Sequence, residues 1–158
     1  CLGMNVIATK RTSSSGLGTV KLIPIDKLKK LLSSSDFVIA AAPLTDETRG
    51  MFREEEFKAM KRGAYFINIA RGGLVEERAL VKALRNGWMR GAALDVMMVE
   101  PPPPKSDLYD LDNLVLTPHV SGGSKEAFER SLQLFRENLR RYISGESLLN
   151  VVDKATCY

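Results

Sequence analysis

Three side chains suited to acid–base and anion chemistry come just after three different apolar runs. Arg71 follows "AYFINIA", Glu100 comes shortly after "RGAALDV", and His119 follows "NLVLTP". An imidazole exchanges a proton near neutral pH, a carboxylate orients such a ring, and a guanidinium binds carboxylates and polarised carbonyls. With no activated serine or cysteine among them, these groups indicate carbonyl–alcohol redox in which a nicotinamide cofactor carries the hydride.

The apolar runs alternate with helical patterns along the chain. The predicted strands span 5–9, 36–42, 64–70, 90–96 and 113–118, and the predicted helices span 24–35, 53–63 and 76–87. Continuous apolar strands predict burial on both faces, and the intervening helices predict a parallel sheet with right-handed crossovers. The fold class is therefore α/β, a doubly wound, Rossmann-like parallel sheet. Ligands of such sheets bind beyond the carboxyl ends of the strands, where Arg71, Glu100 and His119 are expected.

A longer helix is predicted to begin near Ser124 and to end at Gly145. Its apolar residues are spaced four, three, four and three positions apart, which is typical of one packing face. We expect this face to contact the sheet or a partner domain. The face consists of Phe128, Leu132, Phe135, Leu139 and Tyr142.

Composition limits the classes of function that remain. The 158 residues are 44% apolar, which is enough for one globular domain with a core. The net charge is only +4, and basic residues stand beside acids, as in "REEEFKAMKR", so no nucleic-acid partner is expected. No apolar run is long enough to predict a membrane partner. Cys1 and Cys157 have no ligand spacing, so we expect no metal site, and they fit a cytoplasmic location.

Residues 68–96, "NIARGGLVEERALVKALRNGWMRGAALDV", together with "EP" at 100–101 and "LTPHVSGGS" at 116–124, resemble the D-isomer-specific 2-hydroxyacid dehydrogenases. That family includes phosphoglycerate, glycerate, formate and D-lactate dehydrogenases. The resemblance implies an NAD(P)-dependent oxidoreductase that moves a hydride between the cofactor and a D-2-hydroxy acid or 2-keto acid. It implies that Arg71 binds the substrate, that Glu100 pairs with the histidine, and that His119 is the acid–base catalyst.

The same resemblance implies a set of cofactor contacts. They are Ala42, Pro43, Thr48, Ile69, Ala70, Arg71, Asp95, His119 and Gly122. Structural alternatives stand beside several of these roles. Arg71 alone would also suit a cap on backbone carbonyls, Glu100 a solvated loop, Asp95 a turn, and Thr48 the start of a helix.

One departure from the family concerns the start of the chain. The GxGxxG turn that should precede the 5–9 strand is absent, and "GLG" at 16–18 is interpreted as a plain turn. We therefore expect an incomplete fold that lacks the first strand and the GxGxxG helix. Residues 1–145 are assigned to a partial dinucleotide-binding domain, and 146–158 to a tail that would return to a missing substrate domain. The 158 residues alone are expected to be inactive, and a longer parent protein to be active.

A second departure concerns the cofactor. NAD-preferring members end the 5–9 strand on an acid that binds the ribose hydroxyls, whereas this chain has Lys10 and Arg11 there. Two bases would attract a 2′-phosphate, so the prediction is NAD(P) with a preference for NADP. The alternative is that both bases are solvated and that NAD binds through its other contacts.

The main alternative function is a dinucleotide-sensing transcriptional corepressor of the same fold, in which partner binding replaces turnover. The resemblance also implies that the parent is a homodimer, because relatives usually dimerise through this domain.

Overall fold

The structure, a computed structural model, describes residues 3–10 and 20–154. Arg11, the "GLG" turn at 16–18 and both cysteines lie outside the described residues. The chain divides between Pro118 and His119 into two compact units, which are described separately. The assignment of 1–145 to one domain and of 146–158 to a tail stays a prediction.

The described residues of the first unit form six short parallel strands in two sheets. Strands β1 (Ile7–Ala8) and β2 (Lys21–Leu22) pair with each other, and β2 was not predicted from the sequence. The larger sheet has the order β3-β4-β5-β6. Its strands are β3 (Phe37–Ala40), β4 (Tyr65–Asn68), β5 (Gly91–Leu94) and β6 (Leu114–Leu116). The parallel pairing and the helical connections confirm the predicted α/β class.

Across residues 20–118 three α-helices lie between the strands, and each is shorter than the pattern predicted. Helix α1 spans Leu28–Ser34, α2 spans Glu54–Ala59 and α3 spans Glu77–Arg85. Short 3-10 turns occupy Ile25–Lys27, Gly72–Leu74 and Asp107–Asp110. Helix α3 ends where the predicted stop Gly87 adopts a φ of +64°, a left-handed conformation that glycine adopts without a steric penalty.

The hydrophobic core lies on one face of the larger sheet. Phe66 of β4 is fully buried, and its ring meets Phe52 and Phe57 edge-on, with centroids 4.9 and 5.3 Å away. Leu32 of α1 and Leu80 of α3 complete the same cluster. The three helices therefore pack their apolar sides against one surface of the sheet.

The prediction that the strands are buried on both faces was wrong for the described residues. Side chains alternate along β3, with Val38 buried and its neighbours Phe37 and Ile39 more than half exposed. Val115 of β6 is exposed on the same side as Ile39, because the two residues are in register through Ile67 and Ala93. The continuous apolar runs therefore predicted the positions of these strands correctly. They do not indicate whether one face of a strand or both faces are buried.

The second unit, which begins at His119, is dominated by the 19-residue helix α4 (Lys125–Ile143). The helix begins next to Ser124, as the sequence predicted, and the Ser124 hydroxyl caps this start by accepting from Ala127 N at 3.0 Å. Near its other end, Arg140 and Arg141 donate hydrogen bonds to Glu137 and lower the pKa of that carboxyl to about 2. The predicted apolar face is exposed, from Leu132 at 48% to Tyr142 at 75%.

No helix among residues 3–10 and 20–154 combines the length and the hydropathy that a membrane crossing requires.

We predict that Phe66→Ala lowers the free energy of unfolding of the chain by about 3–5 kcal/mol, because it opens a cavity between Phe52 and Phe57. Phe37→Ala is the matched control, since Phe37 is exposed and only stacks on Tyr65 at 5.5 Å. It should cost about 1.5 kcal/mol at most. Urea unfolding measures both, and equal losses would contradict the one-sided core.

Candidate active site

Asn68, the last residue of β4, organises the turn that carries Arg71. Its side chain is fully buried and accepts from Ala70 N at 3.1 Å through Oδ1, while Nδ2 donates to Arg71 O at 3.0 Å. The Arg71 side chain is exposed and donates through Nη1 to Ala70 O at 2.6 Å. This is the backbone contact that the structural alternative for Arg71 predicts. A guanidinium has five N–H donors, so the contact leaves most of its donors for a ligand.

Gly72, next to Arg71, allows two backbone segments to touch. A Cβ atom at this position would lie 2.0 Å from Met97 O and 2.5 Å from Met98 N. The turn after β4 therefore packs directly against the segment after β5. This close approach between protein segments, rather than room for a ligand, explains the glycine.

Two carboxylates hold that segment after β5. Glu100 Oε1 accepts from Met97 N at 2.9 Å, and Glu77 Oε1, from the first turn of α3, accepts from Met98 N at 2.6 Å. Glu100 is solvent-exposed, but it is bound to its own loop and is not a freely solvated acid. Through Met97 and Gly72, Glu100 belongs to the same packed group of residues as the Arg71 turn.

Asp95 links the ends of β5 and β6. It is 5% exposed, and its Oδ1 accepts from the Thr117 hydroxyl at 2.6 Å. Backbone bonds continue the ladder beyond the strands, from Asp95 N to Asn68 O and from Thr117 N to Leu94 O, both at 3.0 Å. The predicted site residues Arg71, Asp95 and Glu100 thus lie along one edge of the sheet.

His119 is the first residue of the second unit and comes two positions after Thr117. Its φ is +55°, in the left-handed region that few residues other than glycine adopt and that is often found at functional sites. The residue is exposed. Gly122, three residues on, is open to an approaching group, because a Cβ atom added there would have no heavy atom within 4 Å.

The loop after β3 contains the predicted contacts Ala42, Pro43 and Thr48. Thr48 begins no helix; its hydroxyl donates to Pro43 O at 2.7 Å and accepts from Thr45 N at 2.8 Å. These two hydrogen bonds join Thr48 to residues near the start of the loop. Ala42 is half-buried and Pro43 is exposed.

Ile69 and Ala70 belong to the Arg71 turn described above. The Ile69 side chain is 47% exposed, whereas Ala70 is half-buried. Strand β4 ends at the buried Asn68, and the chain becomes exposed at the next residue, Ile69.

At the end of β1, Thr9 and Lys10 are both half-buried. Within the described residues, the Thr9 hydroxyl oxygen is buried without a hydrogen-bond partner. Arg11, the second predicted phosphate contact, lies outside the described residues.

An open pocket of about 380 Å³ lies elsewhere, near the amino ends of the strands of the larger sheet. The residues that line it include Phe37, Tyr65, Arg90 and Asn113. We assign the chemistry to the carboxyl ends instead, because the buried polar groups Asn68 and Asp95 lie there. Among the described residues, no group of three or more His, Cys, Asp or Glu side chains could hold a metal ion.

Sequence reasoning missed Asn68, Glu77 and Thr117. Asn68 had a detectable signal, because it is the one polar residue inside the apolar run "AYFINIA". Glu77 and Thr117 had none, since each acts on a partner more than 20 residues away.

The parallel sheet with polar groups along its carboxyl edge defines a dinucleotide-binding type of α/β domain. Residues 1–121 match the model of the D-isomer specific 2-hydroxyacid dehydrogenase, NAD binding domain. The chain belongs to this family.

Individual relatives agree with that assignment. A glyoxylate reductase of Korarchaeum cryptofilum is 45% identical over 127 residues, which are 80% of this chain and 38% of that protein. A Xanthobacter autotrophicus Py2 D-isomer specific 2-hydroxyacid dehydrogenase, solved with NADPH and MES, has a TM-score of 0.88 and 39% identity, and the match covers 99% of this chain and 64% of that one. An NADPH-dependent glyoxylate/hydroxypyruvate reductase of Sinorhizobium meliloti, solved with NADP and sulfate, has a TM-score of 0.88 and 32% identity over 99% of this chain and 50% of that one.

The chain therefore spans about two fifths of the length of the glyoxylate reductase and half to two thirds of the solved structures. These similarities support an NAD(P)-binding domain and do not favour the corepressor alternative.

We predict that Gly72→Ala lowers the free energy of unfolding by about 1–3 kcal/mol or more, because the new methyl group would overlap the Met97 carbonyl. Gly122→Ala is the matched control, since no atom lies near its Cβ position. Urea unfolding of the two variants compares them. An unchanged midpoint for Gly72→Ala would contradict the close contact between the two turns.

Proposed function

We propose that this chain is the cofactor-binding part of an NAD(P)-dependent D-2-hydroxyacid dehydrogenase that reduces a small 2-keto acid such as glyoxylate or hydroxypyruvate. The observation that carries the proposal is the packed edge at which the Arg71 turn, held by Asn68, meets the Glu100 loop through Gly72. The names of the glyoxylate and hydroxypyruvate reductases support the substrate class.

We assign three catalytic roles. Arg71 binds the carboxylate and the polarised carbonyl of the 2-keto acid through its planar fork of donors. His119 donates a proton to the carbonyl oxygen as the alcohol forms, and removes it in the reverse direction. Glu100 accepts a hydrogen bond from the imidazole and stabilises its protonated form. Two observations support this assignment: Arg71 and Glu100 lie along one edge of the sheet, and in the sequence His119 comes two positions after Thr117, whose hydroxyl donates to Asp95.

The donor set at this edge fits a nicotinamide dinucleotide, which supplies the hydride when bound. We propose that the loop with Ala42, Pro43 and Thr48 and the turn with Ile69 and Ala70 bind it largely through backbone groups. Asp95 is proposed to lie on its carboxamide side, and Gly122, beyond the histidine, to leave room for the nicotinamide. Arg71 and His119 would contact both cofactor and substrate.

We further propose that NADP is preferred over NAD. Lys10 and Arg11 come just after the end of β1, and neither is an acid that would repel a 2′-phosphate. The buried Thr9 hydroxyl beside them is a polar atom suited to a further ligand contact. The NADPH and NADP in the two solved relatives support the same preference.

Further expectations follow from the family. We propose that the whole protein is a homodimer, and the exposed apolar face of α4 supports an interface in this unit. The division into a domain of 1–145 and a tail of 146–158, and the cytoplasmic location, stay predictions.

We predict that Arg71→Gln raises the KM of the whole protein for glyoxylate by about tenfold or more, because a bidentate anion contact is lost. His119→Asn should lower kcat by about 100-fold or more, since the proton donor is removed. Steady-state reduction with NADPH measures both changes. Arg62→Gln, before the amino end of β4, is the matched control and should change neither constant.

Robust reduction of glyoxylate or hydroxypyruvate by the whole protein would support the dehydrogenase proposal. Cofactor binding with little turnover and a nuclear location would favour the corepressor instead.

We predict that Lys10→Glu combined with Arg11→Glu weakens NADPH binding by about tenfold or more, a loss of about 1.4 kcal/mol, and leaves NADH binding equal or tighter. The physical reason is that two acids would repel the 2′-phosphate but not a ribose hydroxyl. Lys21→Glu, at the amino end of β2, is the control. Fluorescence titrations of NADPH and NADH into the whole protein and into both variants measure these affinities. A preference of the unsubstituted protein for NADH would contradict the proposed preference for NADP.

A further inference from the structure

Arg71 sits on a turn that lacks regular secondary structure except for the short 3-10 turn that follows it. An exposed arginine on such a turn would sample many positions unless its backbone were fixed. A ligand-binding guanidinium gains affinity when its position is set beforehand, because less conformational entropy is lost on binding. The function proposed for Arg71 therefore requires a group that fixes this backbone.

Among the described residues, only the Asn68 side chain is hydrogen-bonded to the backbone of this turn at two points. Its Oδ1 accepts from Ala70 N at 3.1 Å and its Nδ2 donates to Arg71 O at 3.0 Å. It is also the largest fully buried polar residue of the described core. Burying an amide costs free energy unless each polar atom is bonded, so this asparagine is strongly held in one orientation.

The bonds from Asn68 lead directly to the guanidinium. Ala70, whose amide is held by Asn68, provides the carbonyl to which Arg71 Nη1 donates at 2.6 Å. Arg71 O, held by the Asn68 amide, also accepts from Leu74 N at 3.2 Å and so begins the 3-10 turn that places Gly72 against Met97. The same side chain therefore fixes the backbone on both sides of Arg71.

We propose that Asn68 is a positioning residue that sets the Arg71 guanidinium for the carboxylate of the 2-keto acid. This inference rests on the proposed function of Arg71. Asn68 does not touch the substrate in this role. It acts through the two backbone groups that it holds, and its effect should vanish when Arg71 is replaced.

The decisive variant is Asn68→Asp, which has nearly the same shape and keeps the acceptor for Ala70 N. It replaces the donor to Arg71 O with a carboxylate oxygen, and two oxygens then face each other. The matched control is Asn113→Asp, because Asn113 Nδ2 also donates to backbone carbonyls, Leu84 O at 3.3 Å and Arg90 O at 3.5 Å, before the amino end of β6.

The test is a double-mutant cycle on the whole protein with NADPH bound. Oxamate, an unreactive analogue of glyoxylate, is titrated by calorimetry. We expect Asn68→Asp to weaken oxamate binding about tenfold, and Asn113→Asp to change it less than about twofold. In an Arg71→Gln background, Asn68→Asp should have less than about a twofold further effect. Equal effects of the two asparagine variants, or an undiminished effect without Arg71, would overturn the positioning role.

A second measurement, hydrogen exchange of the Ala70 amide, is made on the unsubstituted protein and needs no cofactor. The Ala70 amide lies outside any helix or strand, yet we expect it to be protected from hydrogen exchange because Asn68 Oδ1 accepts from it. Rapid exchange at Ala70 in the unsubstituted chain would overturn the inference. If the whole protein fails to bind oxamate or reduce any 2-keto acid, the proposed function is wrong, whereas Ala70 exchange still decides whether Asn68 holds the turn.

Discussion

The site depends on one constraint, which is that a parallel sheet brings the carboxyl ends of its strands to a common edge. At this edge the backbone bonds continue past β4, β5 and β6, from Asp95 N to Asn68 O and from Thr117 N to Leu94 O. They hold the loops that carry Arg71 and Asp95 at fixed spacing. Without this register, residues that are 24 or more positions apart in the chain would have no reason to meet.

Buried polar groups then fix the turns at the shared edge, where we propose the active site. Asn68 and Asp95 are the two buried polar residues of the described chain, and both stand at strand ends with their side chains bonded. Such groups are costly to bury without partners, so they specify one arrangement of the turns around them. The two carboxylates on Met97 N and Met98 N act in the same way on the loop after β5.

The apolar surfaces are only partly covered within the described chain. The helices cover one face of the larger sheet, while Phe37, Ile39 and Val115 remain exposed on the other, and the apolar side of α4 is exposed as well. Contiguous exposed apolar surface in a globular chain often marks a contact with further protein. This agrees with a chain that spans only part of the length of its relatives.

By itself, the sequence determined the order of the helices and of every described strand except β2, the helix start near Ser124 and the stop at Gly87, and the residue types Arg71, Glu100 and His119 after apolar runs. These follow from local patterns, since apolar periodicity and turn residues act within a few positions. Only the tertiary structure decided that one sheet face is covered, that Gly72 packs on Met97, that Thr117 holds Asp95, and that Asn68 bridges the Arg71 turn. Most of those partners are distant in sequence, and the Asn68 bonds need a strand that ends at a set position. Register and helix placement therefore decide them, and no local pattern encodes either.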